Sequence, residues 1–151
     1  DAPFLSVYGG KITTSRKLAE PALQKLSKYF ENVGKDWTEK ACLPGGDIEG
    51  TNFDDYFERL SSRYGWMPAG MLRRLARAYG TRIEILIGDA KSMVDMGRLF
   101  SDELSEKEIA YLREYEWVSS ADDILWRRTK LGVHMSADEQ KILKDWFNAN
   151  G

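Results

Sequence analysis

The chain has 151 residues, 42% hydrophobic and 30% charged, a globular balance whose size leaves room for one compact body rather than two large ones. Its apolar runs are only a few residues long, far short of the roughly 20 that a membrane span requires, and a formal charge of -2 gives the whole chain no electrostatic pull toward nucleic acid. Cys42 is the only cysteine and His134 the only histidine, which excludes an internal disulfide, a cysteine-rich zinc site and a histidine cluster, and fits a reducing compartment.

The chain opens Asp1-Ala2-Pro3 without an initiator methionine or a basic-then-apolar leader, and is expected to be cut from something longer. Phe4–Tyr8 (FLSVY) is short, apolar and followed by Gly9-Gly10, the pattern of one buried strand entering a turn. A single strand cannot satisfy its own backbone, so its partners are expected outside this chain. From Thr13 or Thr14 the spacing of Leu18, Ala22, Leu26, Tyr29 and Phe30 predicts a helix, bent at Pro21, where a backbone donor is missing.

Residues 33–51 carry Gly34, Pro44, Gly45, Gly46 and Gly50 and read as a linker loop with a turn at LPGGD. Residues 52–151 then read as a helical domain. Asn52 caps a helix bearing Phe53, Tyr56, Phe57 and Leu60 that stops at Gly65, and a second helix opens at Pro68 and closes at Gly80. Four later starts pair a hydroxyl with a carboxylate three residues on: Thr81 with Glu84, Ser105 with Glu108, Ser120 with Asp123 and Ser136 with Glu139. The fold class is therefore mainly α, an irregular bundle of about six or seven short helices with a short N-terminal strand.

Three constellations carry chemistry. VYGGKITTS is not a P-loop, because Leu5 stands five before Gly10 and Ile12 follows Lys11. A Gly-Gly-Lys turn opening a helix still offers backbone amides, the positive end of the helix dipole and a point charge to an anion or polarised carbonyl. A plain turn with a solvated lysine has the same spacing. In EWVSSADDILWRRTK, Asp123 lies four before Arg127, the favourable orientation for a helical ion pair. Arg127, Arg128 and Lys130 there suit an anion site, or a helix whose tryptophans, Trp117 and Trp126, are core while its arginines tie neighbouring elements together. Arg73, Arg74, Arg77 and Arg82 form a third basic group, a DNA-reading helix or one solvated face. His134 reads as a loop residue.

VYGGKITTSRKLAE, LPGGDIEG, ARAYG and EWVSSADDILWRRTKLG, in this order and at these separations, closely resemble the C-terminal part of the FAD-dependent, quinone-linked glycerol-3-phosphate dehydrogenases over essentially the whole chain. The glycerophosphate oxidases are the nearest confusable group. The resemblance implies a large flavin domain followed by a small helical one. Residues 1–32 would then be the last strand, turn and helix of the flavin domain, and 52–151 the helical domain. It implies FAD as cofactor, bound by the full-length enzyme and not by this fragment, with Gly9, Gly10, Lys11, Ile12 and Thr13 beside it and Lys11 also near the substrate. Trp117, Asp123, Trp126, Arg127 and Arg128 are assigned to domain packing or docking. The implied partners are the chain's own N-terminal FAD domain, glycerol 3-phosphate, oxidised to dihydroxyacetone phosphate, and quinone. No nucleic acid and no metal are expected. The implied location is cytoplasmic, with peripheral attachment to the inner membrane open through the full enzyme. The family's nucleotide-binding glycines and its other active-site residues are not in this sequence, so the fragment alone should be inactive. The alternative class is a stand-alone helical module that binds a protein or polyanion.

Overall fold

A computed structural model describes residues 2–50 and 52–150. The loop expected over 33–51 thus ends on Thr51, which with Asp1 and Gly151 lies outside the described residues. The chain divides into two compact units, Asp1–Cys42 and Leu43–Gly151.

The first unit holds a 3-10 turn at Ile12–Thr14, helix α1 (Ser15–Leu26) and a second 3-10 turn at Ser27–Tyr29. Helix α1 runs through Pro21, with the 3-10 turn replacing its expected last α-turn. Arg16 donates to Glu20 at 2.7 Å, and Thr38 donates to the same carboxylate at 2.8 Å, linking the helix to the segment that follows it. The expected strand at Phe4–Tyr8 does not form. The segment has no ladder partner among the described residues, and Phe4 and Tyr8 are 90% and 92% exposed. Hydrogen bonds to neighbouring strands are what make a strand, and here none are supplied. No described residue of this unit is buried.

The second unit is a helical bundle around one apolar core. Its α-helices are α2 (Phe53–Arg63), α3 (Ala69–Tyr79), α4 (Ile83–Ile87), α5 (Glu106–Tyr115) and α6 (Ala137–Asn150), with a π-helical segment, Asp123–Arg128, between the last two. Leu75, Ile83, Leu104, Ile109, Ile124 and Leu143 are fully enclosed at the centre. A two-stranded antiparallel hairpin, β1 (Leu99–Ser101) and β2 (Leu104–Ser105), packs into the same unit. It has too few residues to show a period of two, which is why the sequence does not announce it.

The expected caps divide by what else competes for each side chain. Asn52 Oδ1 accepts from the Asp54 amide at 2.9 Å, as the sequence predicts. Ser136 and Glu139 make a complete reciprocal box, with 2.7 Å and 3.3 Å backbone bonds, and so do Ser120 and Asp123 at 3.0 Å and 3.2 Å. Ser105 caps the Glu108 amide at 3.3 Å, but the Glu108 carboxylate is taken elsewhere. Thr81 caps nothing: its hydroxyl donates to Asp47, while Glu84 pairs with Arg63 at 2.6 Å. Between LPGGD and the end of α3 the backbones touch. Gly45 (φ +84°) and Gly80 (φ +52°) lie so close that a Cβ on Gly80 would overlap the Gly45 carbonyl, whose oxygen accepts from the Thr81 amide at 3.1 Å.

Candidate functional site

In the Gly-Gly-Lys turn, Gly9 and Gly10 stand at φ +81° and +106°, conformations that side chains with a Cβ rarely adopt. A Cβ on Gly10 would sit 3.0 Å from Leu18 Cδ2, whereas nothing lies within 4 Å of one placed on Gly9. The backbone at Gly9 is therefore open to close approach. Lys11 returns to extended geometry, and its carbonyl accepts from the Thr14 amide at 2.9 Å and the Thr14 hydroxyl at 3.0 Å. No side-chain oxygen caps the start of the 3-10 turn or of α1. Lys11, Ile12 and Thr13 are all exposed, Ile12 at 91%. The turn thus presents a bare peptide, an uncapped helix start and an ammonium, a set suited to the edge of a flat ring or an anion.

The 116–130 segment is built around Asp123. Its Oδ2 accepts from the Ser119 and Ser120 amides at 3.1 Å and 3.0 Å and from the Ser120 hydroxyl at 2.9 Å, and its Oδ1 from Arg127 at 2.5 Å. The Ser119 amide, then the Ser120 hydroxyl and Arg127, hold the Asp123 carboxyl well below the usual carboxylate range. Arg128 Nε donates to the Glu116 carbonyl at 2.8 Å. The expected ion pair with Arg127 is present, but the placement of Trp117 in the core is corrected. Trp117 takes a left-handed conformation (φ +55°) and is 87% exposed, while the adjacent Val118 turns inward and is buried. Trp126 is 41% exposed and lies against Gly132, where a Cβ would meet its ring at 2.6 Å. Lys130 (φ +61°), two residues past the π-helical stretch, is the second left-handed non-glycine residue of this segment. Such outliers and π-turns persist where the surroundings hold them, and they gather at functional segments.

The basic group on α3 is not one solvated face. Arg74 makes a two-pronged pair with Glu108, Nη1–Oε1 at 2.9 Å and Nη2–Oε2 at 2.5 Å, and Tyr79 donates to Glu108 Oε1 at 2.7 Å. Glu108 is fully buried. Burial opposes the charge on Arg74, but the Glu108 hydrogen bond and charge outweigh it and raise its pKa; burial and then Glu108 push the Tyr79 hydroxyl far up. Arg82 donates to the Tyr111 hydroxyl at 2.5 Å, and Arg73 and Arg77 lie over the Phe53 ring at 5.5 Å and 5.2 Å. The sequence reading missed the Arg74–Glu108–Tyr79 cluster. Glu108 falls on the same helical face as Ile109, Tyr111 and Leu112, and that position was the signal for a buried carboxylate. Among the described residues no group of metal-ligating side chains converges, and no helix is long and apolar enough to cross a membrane.

Residues 37–147 match the family model described as the C-terminal domain of alpha-glycerophosphate oxidase. The chain is 49% identical over 146 residues, 97% of its length, to an aerobic glycerol-3-phosphate dehydrogenase of Escherichia coli (strain K12). It is 44% identical over 149 residues, 99% of its length, to a glycerol-3-phosphate dehydrogenase of Pseudomonas aeruginosa, and 40% identical over 150 residues, again 99%, to a D-erythritol 1-phosphate dehydrogenase of Brucella abortus. It spans only 29% of the first two relatives and 30% of the third.

Proposed function

This chain belongs to the alpha-glycerophosphate oxidase C-terminal domain family, and from that membership we propose that it is the C-terminal part of an FAD-dependent glycerol-3-phosphate dehydrogenase. The whole enzyme oxidises sn-glycerol 3-phosphate to dihydroxyacetone phosphate and passes the electrons to quinone. On this reading residues 1–32 form an edge of the flavin domain, 33–51 link, and 52–151 are the helical domain. The observation that carries it is the Gly9-Gly10-Lys11 turn, open on the Gly9 side and leading into an uncapped helix start, on a chain 49% identical to an aerobic glycerol-3-phosphate dehydrogenase.

The residues present fit one side of a flavin: Gly9 and Gly10 admit a flat ring to the backbone, and Lys11 with the amides at Ile12 and Thr13 favours negative charge on whatever faces them. When bound, the flavin supplies the two-electron acceptor chemistry. Lys11 holds a fixed positive charge beside it and near the phosphorylated alcohol. In the second unit, Asp123 ties down the turn that displays Trp117, Trp126, Arg127 and Arg128, and these side chains dock the helical domain against the rest of the enzyme.

The test uses the chain expressed with everything upstream of it. The protein should be yellow and should bleach without oxygen when glycerol 3-phosphate is added; a colourless full-length protein would overturn the reading. Lys11→Ala should lower turnover by roughly 100–1,000-fold, the range for losing one preorganised donor, and leave the melting of the helical domain unchanged. The family description favours a second acceptor, oxygen, in an oxidase. Peroxide formed in step with substrate oxidation would select it, and reduction of an added quinone without peroxide would select the dehydrogenase.

A further inference from the structure

Two basic motifs some fifty residues apart in the chain close on one groove. Arg73, Arg74 and Arg77 enter it from α3, and Lys130 and His134 enter from the turn after the π-helical segment; Glu103, on the hairpin, is its carboxylate. The cavity is roughly 520 Å³, within the range of small-molecule sites. Four permanent cations meet there, against three carboxylates. Glu108 is spent on Arg74, Glu103 lies 3.5 Å from Arg74 Nε, and the exposed Asp54 is 3.3 Å from Arg73. Arg77 makes no ion pair among the described residues. Arg74 Nε is buried without a hydrogen bond. In a chain of net charge -2 this is a local excess of positive charge.

The cations are also held in place. The Arg73 guanidinium lies 4.9 Å and 5.5 Å from the Phe57 and Phe53 rings, and that of Arg77 lies 5.2 Å from Phe53. Arg73 gives one N–H to Asp54 and Arg77 gives none to a carboxylate among the described residues, so both forks keep donors to offer. The Lys130 ammonium reaches back to the Trp126 carbonyl, which fixes its position and uses one of its three donors. Like charges held together repel unless an anion sits among them. From this the geometry points to a binding site for a phosphate monoester or free phosphate, gripped by Arg77 and Arg73 with Lys130 opposite. Tetrahedral oxyanions accept two parallel bonds from an arginine fork. An extended polyanion fits poorly, because its neighbouring phosphates would meet Glu103 and Asp54.

Inorganic phosphate, then glycerol 3-phosphate, is titrated into the full 151-residue chain and followed by calorimetry and amide chemical shifts, against sodium chloride of equal ionic strength. Binding should saturate, shift the signals of Arg77, Lys130 and His134 together, and raise Tm. Arg77→Gln and Lys130→Gln, both at exposed positions, should each keep the parent circular dichroism and bind about tenfold more weakly. Phosphatidylglycerol vesicles, with phosphatidylcholine as control, separate the sources. Vesicle binding that both variants lose would assign a lipid headgroup, and a response to free phosphate without vesicle binding would assign a soluble ligand. No saturation beyond the chloride control, parental affinity in both variants, or binding confined to a DNA oligonucleotide with steep salt dependence would overturn the proposal.

Discussion

Helix α1 in the first unit and helix α3 in the second have similar length and both are amphipathic, yet they are stabilised differently. Helix α3 puts Met71, Leu72, Leu75 and Ala76 into a closed core, while α1 leaves Leu18 and Leu23 exposed and is held by Arg16–Glu20 and Thr38–Glu20 contacts. Burial of a leucine side chain contributes about 2 kcal/mol and a surface ion pair only a few tenths. The unit that carries the stability is thus not the one that carries Lys11. The comparison teaches that an amphipathic pattern specifies a helix and a face, but not what covers that face.

The largest effect should come from the buried cluster of the second unit. Glu108→Ala leaves Arg74 charged and unpaired beneath the surface and should cost about 3–5 kcal/mol in urea denaturation. The triple change Arg74→Met, Glu108→Leu, Tyr79→Phe should recover most of that loss, since no polar group is then stranded; failure to recover would mean the cluster holds the fold by more than its own pairing.

A smaller contrast separates two leucines. Leu75→Ala should destabilise by about 2–5 kcal/mol and Leu23→Ala by no more than about 0.5 kcal/mol. Equal losses would erase the distinction between the units.

Smallest is the pH dependence at Asp123. Its folded pKa is depressed, so its stabilisation is present above the unfolded value of about 4 and is lost as pH falls through the folded value. Asp123→Asn should lower Tm at pH 7, and the gap to the parent should narrow progressively below about pH 4, where the unfolded chain's carboxylate takes up a proton that the folded one still refuses. A gap that stays constant into acid would show that the charge is not what holds the 119–127 turn.

The helical class, the Asn52 cap, the Pro68-to-Gly80 span and the Asp123–Arg127 pair were legible because their signals, end residues and i,i+4 spacings, lie within a single helical element. What was not legible depends on distant partners. FLSVY has strand composition but no strand beside it. Thr81 and Glu84 have the spacing of a capping box, but Asp47 and Arg63 reach them first. Trp117 looks like a core residue until the backbone at that position turns left-handed and gives the inward place to Val118. For the candidate site, Gly9, Gly10 and Lys11 could be read as a helix-opening turn, whereas the convergence of Arg73, Arg77 and Lys130 could not, because two motifs some fifty residues apart had to fold onto each other.

The contact between Gly45 and Gly80 sets where this molecule can be cut. Gly45 closes over the end of α3, its carbonyl binds the Thr81 amide, and the neighbouring Asp47 takes the Thr81 hydroxyl, while Tyr56 donates to the Gly80 carbonyl at 2.7 Å. A truncation beginning at residue 52 would keep every helix of the bundle yet bare that end, exposing an amide and a hydroxyl whose partners had been discarded. Constructing the smallest stable version therefore means retaining the stretch from Leu43 onward, since part of the bundle's lid is written in residues that belong to no helix.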